Sequence, residues 1–216
     1  LKAGVIAPED GVFCAGYYEL GGRRFHCWRS GGHGQMNMVQ SLQNSCDVYY
    51  YEVAQRVGIE AIADMARSLG MGSRPDLPLP ALVAGRIPTK AWKEENVGQS
   101  WLIGDTVNAG IGQGFVSASP LELAVMTARI ASGRNLLPRL ISRVNGVPVD
   151  APEAPALEIN AEALAQVRKG MFEVSNNRRG TAYAARIAEP TMAMAGKTGT
   201  SPVSYTHLRA HETKAN

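Results

Sequence analysis

The segment with the clearest chemical signature is Lys197-Thr198-Gly199-Thr200, which directly follows the apolar run 191–196. The apolar run predicts a buried strand, so the tetrapeptide is expected at the end of that strand. Lys197 supplies positive charge there, and Gly199 allows the backbone of a substrate to approach the strand edge. Lys-Thr-Gly in this setting is typical of enzymes that transfer acyl groups through a serine, and the sequence therefore indicates acyl-transfer chemistry.

A second segment, Ser45-Cys46-Asp47, combines a hydroxyl, a thiol and a carboxylate in consecutive residues and interrupts a helical stretch. Asp47 is placed to cap the helix that follows, because short polar side chains favour the N-cap position. Ser45 also has a purely structural explanation as a helix cap, and Lys197 has one as a solvated strand end. Taken one at a time, these explanations stay open beside the catalytic one.

The cysteines form a third pattern with one histidine. Cys14, Cys27, His33 and Cys46 give the spacing C-x12-C-x5-H-x12-C, and the chain contains three cysteines in all. A tetrahedral zinc site with three cysteines and one histidine uses every one of them. The spacing lacks a short C-x-x-C unit, so a disulfide with one buried free cysteine remains an alternative.

Composition bounds the class of protein. The 216 residues are 45% hydrophobic and 19% charged, as expected for an ordinary globular domain with one good core. No apolar run approaches the roughly 18 residues that a membrane span needs. The net charge of +3 is too small to indicate binding to nucleic acid. The glycines of 110–114 lack the spacing of a dinucleotide-binding motif.

Periodicity and turn residues predict the elements that position these motifs. Glycine pairs at 21–22 and 31–32 indicate hairpin-like loops in the first 35 residues, and 72–100 is expected to be an irregular surface connection. Helices are predicted at 37–43, from Asp47 to Gly58, at 59–69, at about 119–132 and at 161–175; a strand, a turn at 145–146 and a second strand are predicted over 136–149. Strands at the front, a cluster of helices and a terminal strand indicate an α+β fold.

The last residues of the chain do not resemble part of a native protein. At all eleven positions, 203–213 resemble the translation of a transposase-type sequencing adapter in one reading frame. We therefore expect the native sequence to end near Ser201 or Pro202 and 203–216 to be read-through. On this interpretation His207 and His211 are not metal ligands, although their spacing of four suggests a pair.

Together these segments resemble the transpeptidase domain of class B penicillin-binding proteins, and within it the elongation-specific penicillin-binding protein 2 family. The resemblance covers about 1–201 and rests on Gly32-His33-Gly34, 41–42, 45–53, 101–114, Gly180-Thr181-Ala182 and 197–200. It implies the penicillin-binding and serine β-lactamase-like fold, a helical cluster packed on an antiparallel sheet. It also implies that 1–202 is a partial transpeptidase domain, incomplete at both ends.

The resemblance implies a role for each motif residue. Ser45 is expected to relay a proton towards the leaving group, and Asp47 to hold the acyl side chain and its loop. Lys197 and Thr198 are expected to bind the substrate carboxylate, Gly199 to line the strand edge, and the N–H of Thr200 to be one oxyanion donor.

The nucleophile is expected elsewhere in the complete protein. The 216 residues contain no Ser-x-x-Lys, the family motif whose serine is acylated. By resemblance this motif precedes Leu1, so we expect the segment on its own to be inactive.

For the complete protein, the resemblance implies a serine-type D-Ala-D-Ala transpeptidase that cross-links peptidoglycan stem peptides during cell elongation and is acylated by β-lactams. It implies an inner-membrane protein that faces the periplasm and works with membrane proteins of the elongation complex. Because the penicillin-binding protein 2 family carries zinc in this region, it also implies structural Zn²⁺ at Cys14, Cys27, His33 and Cys46. A β-lactam sensor or DD-carboxypeptidase, and a non-catalytic zinc-stabilised interaction module, are the alternatives.

Overall fold

The computed structural model describes residues 1–80 and 82–200. In these ranges the helices are α1 (Met38–Asn44), α2 (Asp47–Val57), α3 (Ile59–Ser68), α4 (Lys90–Val97), α5 (Ile103–Ala109), α6 (Pro120–Ser132) and α7 (Ala161–Asn176). The strands are β1 (Val12–Cys14), β2 (Tyr17–Leu20), β3 (Arg23–His26), β4 (Gly34–Met36), β5 (Arg143–Val144) and β6 (Val147–Pro148). Helices combined with antiparallel strand pairs confirm the α+β class.

The strands form antiparallel pairs. β2 and β3 make the hairpin expected around Gly21 and Gly22, whose φ angles of 57° and 76° lie in the region that favours glycine. β1 pairs with β4, which places Cys14 opposite Gly34. β5 and β6 flank the predicted turn at 145–146, although each is shorter than the sequence indicates.

Helix α2 forms the centre of the core. It packs against α1, α3, α5 and strands β1 to β3. Val48, Tyr49 and Ala54 are almost completely buried on it, and burial of a large apolar side chain contributes roughly 1.5–3 kcal/mol. The segment that carries Ser45 and Asp47 therefore leads into the central, buried helix of the core.

Helix α1 packs closely against α7. Gly170 of α7 makes this close packing possible, because a Cβ at that position would lie 2.4 Å from Leu42 Cδ1. The chain after α7 then returns along the same helix, where the Gly196 N–H donates to the Met171 carbonyl oxygen at 3.1 Å. The α1–α7 contact thus brings the end of α1, with Ser45, towards Lys197.

The prediction that Asp47 caps α2 is wrong. Helix α2 begins at Asp47 itself, and Cys46 occupies the N-cap position without a side-chain hydrogen bond to the helix. The Asp47 carboxylate instead accepts a hydrogen bond from the Trp28 N–H at 2.8 Å. The Asp47 carboxylate therefore binds a residue that is distant in the sequence instead of capping its own helix.

Two other predictions of local structure are corrected. The connection 72–100 contains helix α4, which starts where the Thr89 hydroxyl accepts from the Trp92 N–H at 3.1 Å, after the last proline of the segment. The run 191–196 is not a strand: it begins inside a 3-10 turn, Pro190–Met192, and none of the described strands pairs with it. An apolar run becomes a strand only where a neighbouring strand accepts its hydrogen bonds.

Residues 203–216, with His207 and His211, lie outside the described ranges, so their proposed origin stays a prediction. None of the helices in the described ranges has both the length and the apolar character that crossing a bilayer requires.

The buried carboxylate of Glu122, in the first turn of α6, joins three segments of the chain. Glu122 is fully buried and closes a capping box with Ser119, accepting the Ser119 N–H at 2.7 Å. It also accepts the N–H groups of Gly72 and Gly85 at 2.8 and 2.9 Å. Burial acts to raise the pKa of Glu122, but these hydrogen bonds outweigh it and lower the pKa overall.

Glu122→Gln is therefore expected to lower the free energy of unfolding of the complete protein by about 2–3 kcal/mol, because hydrogen bonds to a charged acceptor are lost. The stabilisation is complete above the unfolded-state pKa of about 4.3 and is lost as the pH falls through the lower folded-state pKa. Urea unfolding at pH 7 and pH 3 tests this, with Glu162→Gln in the exposed first turn of α7 as the control. Equal effects of the two substitutions at pH 7 would contradict it.

Candidate active site

Ser45 occupies the turn between α1 and α2. It is the C-cap of α1 with φ 52° and ψ 47°, a left-handed conformation that is uncommon for a residue with a side chain. Its N–H donates to the Leu42 carbonyl oxygen at 3.2 Å. Such strained residues persist where surrounding structure fixes them, and they cluster at functional sites.

Lys197 contacts Ser45 although the two residues are 152 positions apart. Its ammonium group donates to Ser45 Oγ at 2.5 Å, to the Thr198 carbonyl oxygen at 2.8 Å and to Thr198 Oγ1 at 3.3 Å. These acceptors match the three donors of a lysine. Desolvation lowers the pKa of Lys197, and the negative charge of Asp47 partly offsets this.

A cleft of about 1000 Å³ opens beside this contact. The sequence-predicted residues that line it are Ser45, Asp47, Lys197, Thr198, Gly199 and Thr200. Its other walls include Trp28, Tyr50, Tyr51, Gln113 and Thr181. The structure therefore brings every predicted catalytic and substrate-binding residue to one cleft. A lysine, hydroxyl groups and the exposed backbone at Gly199 together can bind and polarise a carbonyl compound that bears a carboxylate.

Asp47 lies on the cleft wall beside Trp28. Burial raises the pKa of its carboxyl group, and this outweighs the lowering by the Trp28 N–H. The Trp28 indole N–H donates to the Asn44 carbonyl oxygen at 3.0 Å, so the tryptophan is tied to this turn by both its N–H groups.

The residues of the predicted metal site also come together. The sulfur atoms of Cys14, Cys27 and Cys46 and a ring nitrogen of His33 all lie within 4.8 Å of one another. All three cysteines are free and at most 5% exposed. His33 Nδ1 lies 3.6 Å from Cys14 Sγ and 3.5 Å from Cys27 Sγ. In a tetrahedral zinc site with Zn–S of about 2.3 Å, the S···N edges are about 3.5 Å.

The chemistry of this donor set fits zinc. A hydrogen bond from the Cys46 thiol lowers the pKa of Cys27 to about 4, and the same contact raises the pKa of Cys46. The thiolate is the form of cysteine that binds metals. His33 Nδ1 is the nitrogen that faces the sulfurs, and Nε2 is buried without a hydrogen-bond partner in the described ranges.

The cysteine–histidine cluster is directly connected to the cleft. Cys27 precedes Trp28 and Cys46 precedes Asp47 in the chain, and Trp28 donates to Asp47. Cys46 also follows Ser45. A group held by the cysteines would therefore fix the turn that presents the Ser45 hydroxyl and the Asp47 carboxylate.

A family model for the penicillin binding protein transpeptidase domain matches residues 1–215. The chain belongs to this family. The transpeptidase fold that the Lys-Thr-Gly and Ser-x-Asp segments imply is therefore confirmed. The resemblance to the penicillin-binding protein 2 family is confirmed by the similar proteins described next.

The peptidoglycan D,D-transpeptidase MrdA of Haemophilus influenzae is 32% identical over 207 residues, which are 92% of this chain and 32% of the relative. Among solved structures, Pseudomonas aeruginosa PBP2 in complex with WCK 5153 matches with a TM-score of 0.84 and 32% identity over 93% of this chain and 47% of that one. PBP2 of Helicobacter pylori in complex with MreC gives 0.82 and 31% over 94% and 37%. The chain spans about a third of the length of the curated relatives it matches.

Sequence reasoning missed two residues that support the Lys-Thr-Gly segment of this transpeptidase domain. Thr181 Oγ1 lies 2.9 Å from Thr198 Oγ1, and Gln113 Nε2 donates to the Thr200 carbonyl oxygen at 3.2 Å. Both belong to segments that carry the family resemblance, 110–114 and 180–182. Membership in these segments was the only signal in the sequence, because neither segment by itself indicates which distant residue its side chain contacts.

Proposed function

We propose that this chain is part of a peptidoglycan D,D-transpeptidase that cross-links stem peptides through a serine acyl-enzyme. The contact of Lys197 Nζ with Ser45 Oγ at 2.5 Å, at the head of a cleft lined by the Lys-Thr-Gly segment, carries this proposal. The 32% identity to enzymes named peptidoglycan D,D-transpeptidases supports it.

The geometry suits a donor that ends in D-Ala-D-Ala. Its carboxylate would accept from Lys197 and Thr198, and the N–H of Thr200 would face the carbonyl oxygen as negative charge develops there. A serine of the complete protein attacks the penultimate carbonyl carbon and the C–N bond to the last D-Ala breaks. The attacking serine loses its hydroxyl proton, and Ser45, held by Lys197, delivers a proton to the leaving nitrogen. An amine of a second stem then displaces the serine and forms the cross-link.

We also propose that Cys14, Cys27, His33 and Cys46 hold a structural zinc ion. When bound, zinc would offset most of the negative charge of the three thiolates and cross-link the β1–β4 strand pair to the turn before α2. Four protein ligands would leave no position open for water, so the ion would serve to fix Ser45 and Asp47 in place.

The setting of the complete protein is proposed by analogy. The Helicobacter pylori relative was solved with MreC, and the relatives' names refer to peptidoglycan. We accordingly propose that the complete protein faces the periplasm at the inner membrane and works with membrane proteins of the elongation complex.

Covalent labelling of the complete protein by a fluorescent penicillin tests the function. We expect one label per chain, on a serine outside these 216 residues, and loss of labelling after treatment with unlabelled penicillin. A folded protein that takes no label would contradict the proposal. A second assay, with a D-Ala-D-Ala stem peptide and an amine acceptor, distinguishes the alternatives. A transpeptidase forms the amide between the two substrates, and a DD-carboxypeptidase releases only the free acid. A β-lactam sensor converts neither substrate.

A further inference from the structure

A second cavity adjoins the catalytic cleft. Its volume is about 780 Å³, and Trp28 forms a wall of both. Its other walls include Arg29, Gln43, Asn44, Asn177 and Arg179, and we call it the arginine cleft. None of the nine described residues that line it is acidic.

Within residues 1–80 and 82–200, the two arginines of this cleft have no partner for their charge. In the described ranges, neither Arg29 nor Arg179 makes a side-chain hydrogen bond or an ion pair, whereas Arg24 pairs with Glu19 and Arg168 binds the Ile130 carbonyl oxygen. A guanidinium binds a carboxylate through two parallel hydrogen bonds. Two such groups on one polar cavity without a carboxylate favour an anionic, carboxylate-bearing ligand.

The walls of the arginine cleft are anchored before any ligand binds. The Arg179 N–H donates to Asn177 Oδ1 at 2.9 Å, and Asn177 Nδ2 donates to Glu173 Oε2 at 2.8 Å, which ties the loop to the end of α7. Opposite, Trp28 is fixed to Asn44 and Asp47. The backbone of both walls is therefore held in place before a ligand binds, so the binding free energy lost to ordering is confined to the two arginine side chains.

The position of the arginine cleft links it to the reaction. Arg179 is two residues from Thr181, whose hydroxyl contacts Thr198, and the Trp28 side chain is 61% exposed between the two cavities. A ligand held by the arginines therefore lies beside the Lys-Thr-Gly segment. It does not need the carboxylate contacts that Lys197 and Thr198 offer to a donor.

We propose that the arginine cleft binds the acceptor stem peptide through its carboxylates, an inference that rests on the proposed transpeptidase function. The acceptor amine nitrogen attacks the acyl-ester carbonyl carbon from this side and forms the amide bond. The ester C–O bond breaks, and the proton lost by the amine goes to the serine oxygen. The donor and the acceptor thus use different cations, Lys197 for one and Arg29 with Arg179 for the other.

Binding to the acylated protein tests the inference, because penicillin blocks the donor side of the cleft. The titrant is a synthetic stem peptide, added as the free acid or as its carboxamide to the complete penicillin-acylated protein in a calorimeter. We expect Arg179→Gln to weaken binding of the acid about tenfold, the order expected for a charge-assisted hydrogen bond. The matched control is Arg178→Gln, since Arg178 is also exposed but does not line the cavity, and it should change Kd less than twofold.

The carboxamide should bind the wild type about tenfold more weakly than the acid and lose nothing further in Arg179→Gln. Equal Kd values for the two arginine variants, or for acid and carboxamide, would overturn the inference. If Arg179→Gln does not fold, Arg29→Gln carries the same expectation. Failure of penicillin to acylate the wild type would defeat the transpeptidase proposal instead, and the same titration of unmodified protein would still decide whether the cleft binds carboxylates.

Discussion

Replacement of Lys197 with methionine is expected to lower the rate constant for acylation of the complete protein by penicillin about 10³-fold. Methionine keeps an unbranched side chain up to the ε position but removes all three hydrogen bonds that the ammonium group makes to Ser45 and Thr198. Removal of one donor to a developing charge typically costs about 10² to 10³ in rate. Lys197 also orients the Ser45 hydroxyl, so both proton transfer and carboxylate binding are lost.

Stopped-flow or gel-based labelling with a fluorescent penicillin measures this effect, and Lys169→Met on the exposed face of α7 is the control. Because the pKa of Lys197 is lowered, acylation of the wild type should decline as the pH rises through a value below the usual 10.4 for lysine. Lys197→Arg, which stays charged, should move this decline to higher pH. A Lys197→Met protein that is acylated at the wild-type rate would exclude the assigned role.

Cys46→Ala is expected to remove bound zinc from the complete protein and to lower the rate of acylation by a β-lactam about 10- to 100-fold. Cys46 is 0% exposed and supplies one of the four clustered ligand atoms. Its neighbours in the chain are Ser45 and Asp47, so loss of this ligand frees the turn that presents them. Loss of an outer-shell group that only orients a metal ligand already costs about 10- to 100-fold in metal affinity or activity, so loss of a ligand should cost at least as much.

Metal content by mass spectrometry, the melting temperature and the acylation rate should be measured on the same preparations. His26→Gln is the matched control for zinc content, since His26 is exposed and lies outside the cluster although it immediately precedes Cys27. It should keep one zinc per chain. Lost zinc together with unchanged acylation would refute the coupling between the metal site and the cleft, and a wild type without zinc would refute the site itself.

The local structure was largely predictable. The Ser119–Glu122 capping box marks the start of α6, and the amphipathic pattern of 161–175 gives α7 almost to the residue. These signals act over three or four positions, so they are written in the sequence itself. Errors arose where a distant partner replaced a local one, as when Trp28 took the Asp47 carboxylate that was expected to cap α2.

The sequence by itself determined which groups can do chemistry: the lysine and hydroxyls of 197–200, Ser45 with Asp47, and the cysteines with His33. The tertiary structure decided which of these groups meet and which others support them. The contact of Lys197 with Ser45 depends on the close packing of α1 on α7 at Gly170. The side chains of Thr181 and Gln113 contact the Lys-Thr-Gly segment across 17 and 87 positions of sequence. Residue types and short spacings record local hydrogen bonding and burial, whereas contacts between distant residues arise from the collective packing of the core, which no single motif encodes.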